Sequence, residues 1–152
     1  MATAIATDTK TVVESINKQL ANWGVLYVKI HNFHWFVKGK QFFTLHEKFE
    51  ALYNEADKWI DELAERVLAI KGKPVATMKE MLAQASVQEA SGGESADQMV
   101  VAIVKDFQTM LGEIRGAIMQ AEQAGDHGSA DMLTGMQKSL EKHVWMLESL
   151  QG

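Results

Sequence analysis

Hydrophobic residues step by three and four along almost the whole chain. Val13, Ile16, Leu20, Trp23, Tyr27 and Ile30 fall on one stripe, and His34 lands on its next beat. This predicts a first helix over roughly 9 to 37. Beyond the turn at Gly39, a second stripe runs through Phe49, Tyr53, Ala56, Ile60, Leu63, Val67 and Ile70. It closes at Lys71 and Gly72, with Pro74 beyond as a stop signal. Ser95 followed by Gln98 forms a capping-box start for a third stripe, Val100, Ile103, Phe107, Met110, Ile114 and Ala121, which ends near Gly125. The fourth comprises Leu133, Met136, Leu140, Val144, Leu147 and Leu150.

The connections between these stripes differ in length. The first and third are short and favour antiparallel neighbours. The middle one takes more than twenty residues and holds a small helix signature from Thr77 to Leu82. Four long helices with one long crossover predict an all-α, ferritin-like four-helix bundle with a short extra helix in the crossover. No strand-type alternation and no internal repeat appears. At 152 residues the chain fits one domain spanning 1–152, with 1–8 as a short N-terminal tail.

Composition narrows the chemistry. With no cysteine, disulfides, thiolate metal sites and cysteine nucleophiles are excluded, so any metal must take nitrogen and oxygen ligands. No segment reads as a membrane span or a secretory leader, and a cytoplasmic location is expected. A net charge of −5 suits cations better than phosphate backbones.

Three of the five histidines fall within HNFHWFVKGKQFFTLHEKFE, residues 31–50. His34 lies on the first stripe; His46 flanks the second, with Glu50 one turn later and the i,i+4 pair Asp61 and Glu65 beyond. At about 100° per residue, His46, Glu50, Asp61 and Glu65 occupy an arc of roughly 100°. Such a hard donor set suits iron, manganese or zinc. At about 1.5 Å per residue, however, His46 and Asp61 stand roughly 22 Å apart along a straight helix. They serve one ion only if a second copy runs antiparallel beside the first, across a two-fold axis that makes two equivalent sites. The Glu-x-x-His tetrapeptide of bundle-core di-iron sites is absent.

The stretches KIHNFHW, FFTLHEKFE and IDELAERVLAIKGKP, with EKHVWML near the end, resemble the Dps family of mini-ferritins, most of all its Bacillus and Listeria types. The resemblance runs from about residue 15 to the end. It implies a hollow dodecamer that oxidises Fe(II), preferably with hydrogen peroxide and more slowly with dioxygen, stores the Fe(III) mineral and so protects the cell from oxidative damage. Carried over by motif, His34, His46 and Glu50 match iron ligands from one subunit, and Asp61 and Glu65 match ligands from a two-fold neighbour. Zinc or manganese would substitute for iron there. Trp35 matches an aromatic position near the iron, suited to giving up an electron to a stray oxidant. His31 matches a second histidine whose role stays open. Glu122, Asp126 and Asp131 resemble acidic residues that line the family's three-fold pores.

Plainer readings stand beside these. A histidine on an apolar stripe is commonly a satisfied core residue, and Asp61 with Glu65 alone would read as a solvated face. Trp23, Trp59 and Trp145 read as packing residues, and the nine methionines as gap fillers. His127 reads as a surface residue. His143 has no matching partner in the sequence. The alternative function is DNA compaction with metal binding secondary, which some family members perform through a lysine-bearing tail. Here the tail offers only Lys10 beside Asp8, so direct DNA binding is not expected. An inert assembly or receptor-binding particle is the third class.

Overall fold

The computed structural model describes residues 2–152, with side chains from Asp8 onward. Five helices follow in order: α1 (Ala2–Phe36), α2 (Phe42–Ala69), α3 (Met78–Gln84), α4 (Ala96–Gln123) and α5 (His127–Gln151). No strand occurs among the described residues. α1 begins at Ala2 rather than near residue 9, so the stretch expected as a tail is helical from there. No glycine or proline interrupts the chain before Gly24, and alanines at 2, 4 and 6 favour the helix.

The helix ends follow local chemistry. Ser95 and Gln98 form the expected capping box at α4, and Thr77 caps α3 through the Glu80 amide. α2 closes in a Schellman turn, in which Gly72 N–H donates to Val67 O at 2.8 Å and Lys71 N–H to Leu68 O at 3.0 Å. Lys71 thereby takes the left-handed position, at φ 71°. α4 closes the same way, with Asp126 N–H to Ala121 O at 2.8 Å and Gly125 in the left-handed seat.

The core is the sum of the four stripes. Ile16, Leu20, Trp23, Leu26, Ile30 and Phe33 of α1 meet Phe49, Leu52 and Leu63 of α2, Phe107 and Ile114 of α4, and Met136 and Leu140 of α5, all fully buried or nearly so. α1 pairs with α2, and α4 with α5. The crossover returns over α1, pinned by two asparagines whose amides satisfy backbone groups that a loop leaves unpaired. Asn17 donates to Lys73 O and accepts from Val75 N, each at 3.0 Å, and buried Asn22 accepts from Ser86 N at 2.8 Å. This is the expected all-α arrangement of four long helices with one short extra helix in the long crossover. No helix among the described residues is long and apolar enough to cross a membrane.

Candidate metal centre

Two histidines twelve residues apart are brought into direct contact where α1 and α2 turn about Gly39. The rings of His34 and His46 stack at 3.7 Å between centroids with 12° between planes. His34 Nδ1 lies 2.7 Å from His46 O, and His46 Nδ1 lies 2.8 Å from His34 O. A carbonyl only accepts, so both Nδ1 atoms carry the proton and donate. In each neutral ring the lone pair is then on Nε2, the nitrogen left for a cation. Phe42 stacks on the far side of His46 at 5.0 Å, and Tyr53 meets His34 edge-on at 5.3 Å. These neighbours hold the ring pair in one orientation; His34 is only 8% exposed.

Tyr53 links the other half of the cluster. It stacks on His31 at 3.7 Å, and its hydroxyl faces the Glu50 carboxylate one turn back on α2. Desolvation, then the charge and hydrogen bond of Glu50, hold that hydroxyl above the usual tyrosine range. His31 Nδ1–H donates to Tyr27 O at 2.6 Å, so its Nε2 is also left as the lone-pair nitrogen. Trp35 is exposed and lies 5.3 Å from the His31 ring. The sequence places Tyr53 on an apolar stripe and carries no signal of its stacking on His31.

The carboxylates lie elsewhere. Glu50 is exposed near the histidines, whereas Asp61 and Glu65 are exposed further along α2, about four turns from His46. Among the described residues no three histidine, aspartate or glutamate side chains come together as a metal-holding group within the chain. The donor types present are hard nitrogen and oxygen ligands, a fit for iron, manganese or zinc.

The remaining candidates have distinct surroundings. Glu122 and Asp131 are exposed on the last turn of α4 and the early part of α5. Asp126 is the N-cap of α5, accepting from the Ser129 amide at 3.0 Å and pairing with Arg66 at 2.7 Å, so its carboxylate has a structural task. His127 is exposed, as expected. His143 is not without partners. Its Nε2–H donates to Glu55 at 2.9 Å, and its Nδ1 lies 3.1 Å from Lys48 Nζ, so the ring bridges an amine and a carboxylate. Glu55 also accepts from Ser139 at 2.7 Å and from Trp59 at 3.1 Å. Trp23 and Trp59 are core residues, while Trp145 is exposed.

Comparison with known proteins places this architecture. A ferritin-like domain matches residues 13–152. DNA protection during starvation protein 2 of Bacillus anthracis is 56% identical over 140 residues, which cover 92% of this chain and 96% of that protein. The chain belongs to the Dps branch of the ferritin-like family. A Dps crystal structure from Bacillus brevis superposes with a TM-score of 0.95 at 53% identity, covering 96% of this chain and 98% of that one. A Dps from Vibrio cholerae, described as a member of a broad superfamily of ferritin-like diiron-carboxylate proteins, matches at 31% identity with a TM-score of 0.92, covering 96% of this chain and 92% of its own. Membership of the Dps family implies iron storage and protection for this chain.

Proposed function

We propose that this Dps chain oxidises Fe(II) at sites shared between two copies, with hydrogen peroxide as the preferred oxidant, and stores the ferric product inside a hollow dodecamer in the cytoplasm. The observation that carries this reading is the His34–His46 pair. Two stacked imidazoles, each with Nδ1 tied to the other's backbone carbonyl, present two Nε2 donors, and among the described residues no carboxylate set gathers with them into a metal-holding group. Asp61, about 22 Å along the helix that carries His46, and Glu65, one turn further on, are exposed and are the complement an antiparallel neighbour would bring. Glu50 completes the set from the histidine side.

In this reading Fe(II) is the substrate. Two ferrous ions give up one electron each, and the two electrons cleave the O–O bond of peroxide to the oxidation level of water, so no hydroxyl radical is released. Carboxylates favour the ferric state by charge, and the fixed histidine rings hold the donors in place before the ion arrives. Trp35, exposed beside His34, is placed to give up an electron to an oxidant that escapes the pair. Zinc or manganese would occupy the same donors. The acidic α4–α5 turn, with Glu122 and Asp131, would concentrate cations at the way in.

The test is anaerobic Fe(II) loading followed by a peroxide pulse, with ferric absorbance and iron co-eluting with the assembly as readouts. Wild-type protein should oxidise iron well above the protein-free rate and retain it at a mass near that of a dodecamer. The D61A/E65A double variant should assemble but oxidise at the protein-free rate. Full activity in that variant would remove the shared site; no activity in well-assembled wild type would turn attention to the DNA-binding alternative.

A further inference from the structure

Arg66 follows Glu65 on α2 and reaches across to the turn between α4 and α5. Its Nη2 donates to Asp126 Oδ1 at 2.7 Å, and its Nε donates to Ser129 Oγ at 2.9 Å. The guanidinium lies against Gly128, where an added Cβ would approach Nη2 to 2.7 Å and oblige the guanidinium to shift. Asp126 is fixed independently. It caps α5, with Oδ1 accepting from the Ser129 amide at 3.0 Å and Oδ2 from the Ser129 hydroxyl. Both carboxylate oxygens are therefore engaged and the negative charge is matched by a guanidinium. Burial works against ionisation here, but the hydrogen bonds from Ser129 and the contact with Arg66 outweigh it and hold Asp126 below the usual aspartate range. Glu122 and Asp131, exposed to either side, form no ion pair among the described residues.

We propose that Arg66 is a specificity-determining residue that masks Asp126, so that cations drawn to the acidic α4–α5 turn meet Glu122 and Asp131 but not a free Asp126 carboxylate. This rests on the reading of that turn as the way in for Fe(II). The sign of the effect separates masking from simple anchoring. Because Ser129 already holds Asp126 at the helix start, loss of Arg66 leaves the turn in place and adds one uncompensated negative charge per chain. If Arg66 served only to anchor the turn, its loss would slow uptake or leave it unchanged. For a divalent ion about 10 Å away in water, one unit charge changes the local concentration about fourfold.

The experiment is stopped-flow, peroxide-driven Fe(II) oxidation on the assembled protein at low ionic strength, with Fe(II) concentration varied. R66Q should lower the apparent KM for Fe(II) about fourfold at unchanged kcat. D126N keeps an efficient N-cap but leaves Arg66 unmatched, and should raise KM by a similar factor. The R66Q/D126N double variant should return close to wild type, and high salt should erase all three differences. A raised or unchanged KM in assembled R66Q overturns the masking role. If R66Q does not assemble, the R66Q/D126N double variant decides: a KM close to wild type supports the role, and a KM raised as in D126N overturns it. E122Q/D131N reports on the underlying reading: an unchanged KM there removes the turn as the way in and the masking role with it. A raised KM there, with no effect of R66Q, removes masking alone.

Discussion

Replacing Glu55 by glutamine tests whether the polar bridge between α2 and α5 is a stabilising element, and the effect is readable as a function of pH. Burial alone would raise the Glu55 carboxyl, but the hydrogen bonds from His143 and Ser139, the charge of His143 and the hydrogen bond from Trp59 prevail and hold it at about 2 against an ordinary 4.5. A depression of about 2.5 units corresponds to about 3 kcal/mol, at about 1.4 kcal/mol per unit. The side chain is 23% exposed, so solvent screening brings the expected contribution down to about 2 kcal/mol. Since the folded-state value is the lower one, this stabilisation is fully present above the unfolded value of 4.5 and is lost as pH falls through about 2. Glu55→Gln should therefore cost about 2 kcal/mol at pH 7, less than about 1 kcal/mol at pH 3, and almost nothing below about pH 2. Urea titrations of iron-free protein, followed by far-ultraviolet circular dichroism at one fixed protein concentration, measure the gap without a change in mass action on assembly. A gap that stays constant from pH 7 to pH 3 would refute the reasoning, because a cost independent of protonation belongs to packing rather than to the carboxylate.

Three further substitutions probe the frame around the site. Lys71→Gly relieves the left-handed backbone of the α2 Schellman turn and should stabilise by about 0.5–1 kcal/mol, seen as a higher urea midpoint at unchanged slope. Phe49→Ala empties a fully buried position of α2 that rings against Phe33 at 5.9 Å; a loss of about 3–5 kcal/mol in the same titration is expected. At Gly24 an added Cβ would collide with the Met81 side chain, which seats α3 on α1, so Gly24→Val should open the crossover to limited proteolysis between α2 and α4. Adding Met81→Ala should restore much of the resistance; no rescue would show that the contact is not what holds α3.

How much of this was legible in the sequence depends on the range of the physics involved. Helix ends and stripes are local, so the Ser95–Gln98 box, the small crossover helix and the order of the four long helices could be read from neighbours in the chain. The N-terminal start of α1 lies ahead of the first stripe residue, Val13, so periodicity alone places it late. Asp126 carried a local signal too: an aspartate after a closing glycine, with Ser129 three residues on, is an N-cap pattern. It was read for its charge instead. The Glu55–His143 bridge was not legible at all, since its partners are 88 positions apart and periodicity shows which face a residue occupies, not which residue meets it from another helix.

The histidine pair lies between these cases, and the reason bears on function. Spacing showed that His34 and His46 both point near the core; only the turn about Gly39, at φ 112°, decides that their rings stack and exchange bonds with each other's carbonyls. That exchange satisfies both Nδ1 atoms and leaves both Nε2 atoms without a hydrogen-bond partner among the described residues, the opposite of a core histidine, whose two nitrogens are normally both engaged. Meanwhile α2 keeps Asp61 and Glu65 in solvent, where a lone chain gains nothing specific from them. Histidine donors at the start of a rigid helix and acids exposed further along it cannot close on one ion by any bending that a continuous helix tolerates, because a gap of about 22 Å exceeds the reach of any side chain. A second copy of the same helix, reversed, removes the gap twice over with no change in either chain, and the economy of that solution is why the shared site is the reading to test first.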